Sequence, residues 1–186
     1  MFIQTESTPN PATLKFLPGR EVMGAGAVAD FSSREAAERS PLARALFETP
    51  EVSRVFFGSD FVSVTKAGGE WQHLKPAILG TIMEHFTRGL PLIEAGAEEA
   101  DEPTSGEDDS EIVMQIKELI ETRVRPAVAQ DGGDIIFKGF DDQSGIVFLH
   151  MRGSCAGCPS STMTLKNGIE NMLRHYIPEV SAVEAV

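Results

Sequence analysis

Between Glu94 and Glu111 the chain runs for 18 residues with nine carboxylates and no lysine or arginine, and Gly96, Pro103, Ser105 and Gly106 interrupt it. A like-charged stretch this poor in apolar side chains cannot bury enough surface to offset the entropy lost on ordering it. It reads as a self-repelling linker, the alternative being a solvated acidic loop within a single domain. We therefore expect two small α+β domains, 1–93 and 111–186, joined by an acidic flexible linker over 94–110. Of the net charge of −12, those nine acids leave −3 for the remainder. Such a balance argues against nucleic acid as the main partner, because that affinity depends on clustered Lys and Arg. No run approaches the roughly 18 apolar residues that a membrane span needs. Phe2-Ile3-Gln4-Thr5 lacks the basic and apolar blocks of a signal peptide, so the expected compartment is the cytoplasm.

In the first half, Phe2 to Thr5 and Thr13 to Phe16 have strand character, separated by a turn containing Pro9 and Pro11. Ser40 is placed to cap a short helix with Pro41 at its first position and Leu42, Ala45 and Leu46 inward. Val52 to Phe57 and Phe61 to Thr65 flank Gly58-Ser59-Asp60, a hairpin signature. Trp71, Leu74, Ile78, Leu79, Ile82 and Phe86 then mark one face of a helix, with Pro76 at its start or at a kink. The expected product is a sheet of about four strands with two helices on one side. His73 and His85 lack companions at ligand spacing and are expected on the surface or in the core.

In the second half, Ser110 caps a helix from Glu111 to about Val124, carrying Ile112, Ile116, Leu119 and Ile120 inward and ending at Arg125-Pro126. Asp131-Gly132-Gly133-Asp134 is a turn leading to a strand from Ile135 to Phe140. The strand from Ile146 to Met151 has four consecutive apolar residues and is expected to be covered on both faces. Pro159 opens a helix whose buried face is Leu165, Ile169, Met172, Leu173 and Tyr176; Met163 is also assigned to the core. Val180 to Val186 supplies a last strand. The order is αββαβ.

The only two cysteines, Cys155 and Cys158, stand three residues apart between the second strand and the second helix of this half. Unpaired N–H groups and the macrodipole at a helix N-terminus favour thiolate, the form that binds metal. Gly153 and Gly157 allow backbone amides close to sulfur, and Ser160 and Ser161 add hydroxyl donors. Tetrahedral zinc and the common iron–sulfur clusters ask for about four protein ligands, and one chain has two cysteines. Two chains facing across a twofold axis complete such a site, which would then be labile and suited to a carrier. Two other uses of the pair compete. A thiol–disulfide oxidoreductase would want a βαβ surround and an aromatic before the first cysteine, where this chain has Gly153-Ser154 after a hairpin. A structural zinc site within one chain would need His150 or His175 brought close.

Arg125-Pro126, Asp131-Gly132-Gly133-Asp134-Ile135, the run from Gly153 to Ser161 with Cys155 and Cys158, and Thr164 to Glu170 together resemble the NifU-like C-terminal domain of Nfu-type proteins. Phe2 to Pro11 and Leu74-Lys75-Pro76 resemble the Nfu N-terminal domain. The resemblance implies an iron–sulfur cluster scaffold or carrier, not an enzyme. It would hold a [4Fe–4S] cluster, or alternatively [2Fe–2S], on Cys155 and Cys158 of each subunit of a homodimer. The implied partners are upstream scaffolds and recipient apo iron–sulfur proteins. The first domain would serve interaction or targeting, and a processed eukaryotic form would reside in the mitochondrial matrix. Asp131 to Asp134 reads as turn chemistry placing the strand, or else as a surface beside the cluster.

Overall fold

A computed structural model describes residues 2–24, 27–94, 110–154 and 159–186. The chain divides into two compact units, Met1–Glu99 and Ala100–Val186. The acidic run from residue 95 to 109, and with it the expectation of a flexible linker, lies outside the described residues. Glu94, counted in that run, is held by the first unit: its N–H donates to the Arg39 carbonyl and its carboxylate accepts from Arg44 at 2.6 Å.

The first unit is a five-stranded sheet in the order β1-β2-β5-β4-β3, all neighbours antiparallel. Its strands are β1 (Gln4–Ser7), β2 (Thr13–Leu17), β3 (Ala29–Phe31), β4 (Val52–Phe57) and β5 (Val62–Lys66). The fifth strand, beyond the four expected, is β3; three residues leave no periodic signal, and pairing with β4 defines it. The β4–β5 turn requires Gly58, where a Cβ would stand 2.2 Å from the Phe61 ring. Helix α1 (Pro41–Phe47) is capped by Ser40, whose hydroxyl accepts from the Ala43 amide at 3.1 Å. Helix α2 (Trp71–Arg88) keeps Pro76 within it, and buries Leu74, Ile78 and Ile82. His85 lies on the same face in the interior, where burial pushes its pKa below the ordinary histidine value. His73 is exposed.

The second unit follows the expected αββαβ order, but its first helix does not stop at Arg125-Pro126. Helix α3 (Glu111–Leu119), capped by Ser110, passes through a widened π turn at Ile120–Val124 into α4 (Arg125–Gln130). In an α-helix Pro126 would clash with the carbonyl four residues back. The π turn absorbs this: the Arg125 amide reaches the Ile120 carbonyl, five residues back. Ile116, Ile120, Val124 and Val128 consequently stay on one buried face across the junction.

Strands β6 (Gly133–Asp141) and β7 (Ile146–Gly153) form an antiparallel pair, and β8 (Ala182–Ala185) joins β7 in parallel. Helix α5 (Pro159–Tyr176) crosses between them. The shared core takes Ile135 and Phe137 from β6, Val147, Leu149 and Met151 from β7, and Ile169 and Leu173 from α5. Each such burial contributes about 1.5–3 kcal/mol. The expectation that β7 is covered on both faces fails. Val147, Leu149 and Met151 are buried, whereas Ile146, Phe148 and His150 on the opposite face are half-exposed. Only at its far end is the strand enclosed, with Arg152, Gly153 and Ser154 all buried. Two further core assignments also fail, because Met163 is 67% and Tyr176 49% exposed. The Tyr176 ring instead faces the Arg123 guanidinium at 5.1 Å.

Candidate functional site

Cys155 and Cys158 lie outside the described residues. What the structure describes is how the chain is held on either side of them. Between Ser154 and the first residue of α5 there are four residues, both cysteines among them. The connection is short: β7 ends at Gly153, one residue before Ser154, and α5 begins at Pro159.

The incoming end is fixed by the Asp131–Asp134 turn. Asp131 and Gly132 close α4 by donating their amides to the carbonyls of Val128 and Ala129 at 3.0 and 3.1 Å. Gly132 then takes φ +81°, open to glycine at little cost, and Gly133 starts β6 opposite Gly153. The Ser154 amide donates to the Gly132 carbonyl at 3.3 Å, and its hydroxyl donates to the Asp131 carbonyl. One serine, adjacent to Cys155 in the chain, thus ties the end of β7 to the end of α4.

Beneath this turn lies an ion pair that sequence reasoning did not identify. Asp134 is only 3% exposed and accepts two hydrogen bonds from Arg125, Nε to Oδ1 at 2.9 Å and Nη2 to Oδ2 at 3.0 Å. Arg125 Nη1 also donates to both oxygens of Glu121, at 2.9 and 3.0 Å. The hydrogen bonds that Arg125 donates to Asp134 hold the guanidinium protonated well above its ordinary range, against the opposing effect of burial. Asp134 is also the register partner of Arg152. The sequence marks Arg125 as a helix terminator and Asp134 as part of a turn or of a surface beside the cluster, and does not pair the two. The available signal was a carboxylate wedged between Gly132-Gly133 and Ile135-Ile136, a place where a charge needs a partner.

The outgoing end is α5, anchored where its Glu170 carboxylate accepts from the Val183 amide of β8 at 3.1 Å. An 18-residue helix starting one position after Cys158 places its positive end at the cysteine connection. The two histidines named for a metal site within one chain are remote along their elements. His175 is 16 residues along α5 from Pro159, about 24 Å. His150 precedes Ser154 by four residues of strand, about 13 Å, and its Nδ1 lies 2.8 Å from the Val186 carbonyl. Among the described residues no three metal-capable side chains come together. One expectation needs revising in the other direction. Because β7 and β8 are parallel with α5 between them, the cysteine pair does fall within a βαβ unit, so the hairpin is no argument against dithiol chemistry.

The chain thus consists of two α+β units, and in the second the cysteine pair falls in the connection from a strand to a crossover helix. Residues 3–89 match the family described as scaffold protein Nfu/NifU N terminal, and residues 116–184 match the NifU-like domain. The chain belongs to this Nfu-type family, with the N-terminal domain followed by the NifU-like domain. It is 54% identical over 187 residues to the NFU1 iron-sulfur cluster scaffold homolog, mitochondrial, of Drosophila ananassae, covering all of this chain and 64% of that protein. It is 55% identical over 186 residues to NifU-like protein 4, mitochondrial, of Arabidopsis thaliana, covering 99% and 65% respectively. The chain thus spans slightly under two thirds of the length of these relatives. A solution NMR structure of a NifU-like protein from Saccharomyces cerevisiae aligns over 51% of the chain and 86% of its own, with TM-score 0.45 and 27% identity.

Proposed function

We propose that this protein is an iron–sulfur cluster scaffold or carrier, binding a labile [4Fe–4S] cluster through Cys155 and Cys158 of two copies and passing it to apo iron–sulfur proteins. The observation that carries this is the ligand count in its setting. A NifU-like domain offers two thiols between an anchored strand end and a helix N-terminus, with no third ligand from His150 or His175. Half of a coordination sphere per chain makes binding depend on a second copy, and such a site yields its contents when the copies part or a better-liganded acceptor arrives. Two features favour release over retention: the shared site, and the lack, among the described residues, of three metal-capable side chains gathered to compete with an acceptor's thiolates. The role is binding and transfer rather than turnover. Its partners are a second copy, upstream scaffolds and recipient apoproteins. The mitochondrial names of the relatives favour an organellar setting over a bacterial cytoplasm.

The βαβ setting keeps a dithiol–disulfide oxidoreductase as the second reading. A transfer experiment separates the two. Protein loaded anaerobically with iron and sulfide is mixed with an apo [4Fe–4S] enzyme in the presence of a chelator. The carrier reading expects recipient activity to appear and the donor's visible absorption to fall in step. Recipient activation no faster than with free iron and sulfide would contradict it.

A further inference from the structure

Two copies that share one cluster must converge at the start of α5, because α5 begins one residue after Cys158. The side chains exposed on the first turns of that helix are therefore those nearest the second copy. Met163 is 67% exposed, and Asn167, Gly168 and Asn171 are exposed on the same side, opposite the face carrying Ile169 and Leu173. Along the helix axis Met163 lies about 6 Å and Gly168 about 14 Å beyond Pro159.

Three features of this face call for an explanation outside the single chain. A large apolar side chain is left in water one turn from the cysteines. Gly168 sits in mid-helix, where glycine is the poorest residue after proline, with a backbone that requires no positive φ and open space where a Cβ would stand. A glycine at that position leaves room for a second backbone to pass close by. Finally, Met163, Asn167, Gly168 and Asn171 carry no charge, in a chain whose net charge is −12. Two identical acidic chains repel wherever their carboxylates meet, and an uncharged face permits close approach.

We propose that this face of α5, centred on Met163, Asn167 and Gly168, packs against its counterpart in a second copy, so that helix-on-helix contact as well as the shared cluster joins the pair. The contact is isologous, each α5 meeting the same surface of the other, as a twofold axis through the cluster requires. Gly168 lets the axes approach near the contact, and Met163 fills the space beside the cysteine connections. This rests on the two-copy reading above and adds to it a protein surface that decides how tightly the loaded pair is held.

The test uses the full chain with both cysteines intact. Gly168→Arg and Asn167→Arg place a bulky cation on the proposed contact, Gly168→Ala is a mild filling, and Gly80→Arg is the matched control. Gly80 is likewise an exposed mid-helix glycine with open space around it, but it lies in the first unit. Each protein is reconstituted anaerobically, then assayed for iron, sulfide and oligomeric mass, with helix content followed by circular dichroism. Either Arg substitution on α5 is expected to lower the loaded dimer about tenfold or more at a given chain concentration with helix content unchanged. Gly80→Arg is expected to match the parent, and Gly168→Ala to fall between the parent and Gly168→Arg. Loading and dimerisation of both Gly168→Arg and Asn167→Arg at the parent's level would overturn the proposed contact while leaving the shared cluster intact. Failure of the parent itself to form a loaded dimer would instead overturn the two-copy reading.

Discussion

Substituting alanine for Cys155 or for Cys158 is expected to abolish cluster loading, not merely weaken it. On the proposed shared site each substitution would remove two thiolates from the pair, one per copy, so that four ligands become two and two irons of a [4Fe–4S] cluster lose their protein bond. Water cannot replace thiolate there without exposing the cluster to hydrolysis and loss. Bound iron and sulfide should fall to background, and the visible absorption with them. The unliganded protein, in contrast, should unfold at the parent's midpoint in urea. Its described core is built from Ile116, Ile120 and Val124 of the long helix, Val147 and Leu149 of β7, and Ile169 and Leu173 of α5. Full chromophore in either variant would show that the ligands lie elsewhere. A large drop in midpoint would show that the cysteines serve the fold.

The second large effect lies one layer below the cysteines. Arg125→Ala is expected to destabilise the second unit by about 3 kcal/mol, at the lower end of the range for breaking a buried pair from one side, because Arg125 retains 20% exposure. The loss exceeds that of an ordinary ion pair since Asp134, 3% exposed, would be left charged and without its bidentate donor. Glu121→Gln removes the charge of a second carboxylate that Arg125 contacts. It should change stability by no more than about 0.5 kcal/mol, because Glu121 is largely in water. A double-mutant cycle of Arg125→Ala with Asp134→Asn should give a coupling above about 0.5 kcal/mol, as expected for contacting residues. Loading should suffer too at temperatures where the unit remains folded. The pair fixes α4 to β6, and the turn between them holds Ser154 next to Cys155. Additive effects of the two substitutions, or unaltered iron retention in Arg125→Ala, would contradict this role.

Much of the fold was legible because local chemistry is short-ranged. Ser40 and Ser110 each cap the helix expected of them, and Gly58 turns the hairpin expected of it. The failures share a physical cause, in that a neighbour distant in sequence decides them. The strand β3 is too short to declare itself and exists by pairing with β4. Arg125-Pro126 carries a strong stop signal, yet the apolar positions from Ile116 to Val128 reward a continuous helix, and one π turn reconciles the two. Four apolar residues from Ile146 to Leu149 cannot say which sheet face is covered, and here one face holds the core while the other is half open. At the candidate site, the cysteine identities and the ligand shortage are written in the chain. The buried Arg125–Asp134 pair is not, because its members are nine residues apart with a helix end and a glycine turn between them.

The most direct test of the central claim is to measure iron, acid-labile sulfide and oligomeric mass on one anaerobically reconstituted sample. A [4Fe–4S] cluster shared between two copies predicts about two irons and two sulfides per chain, in a species of twice the chain mass. A loaded monomer, or metal bound as zinc without sulfide, would contradict it.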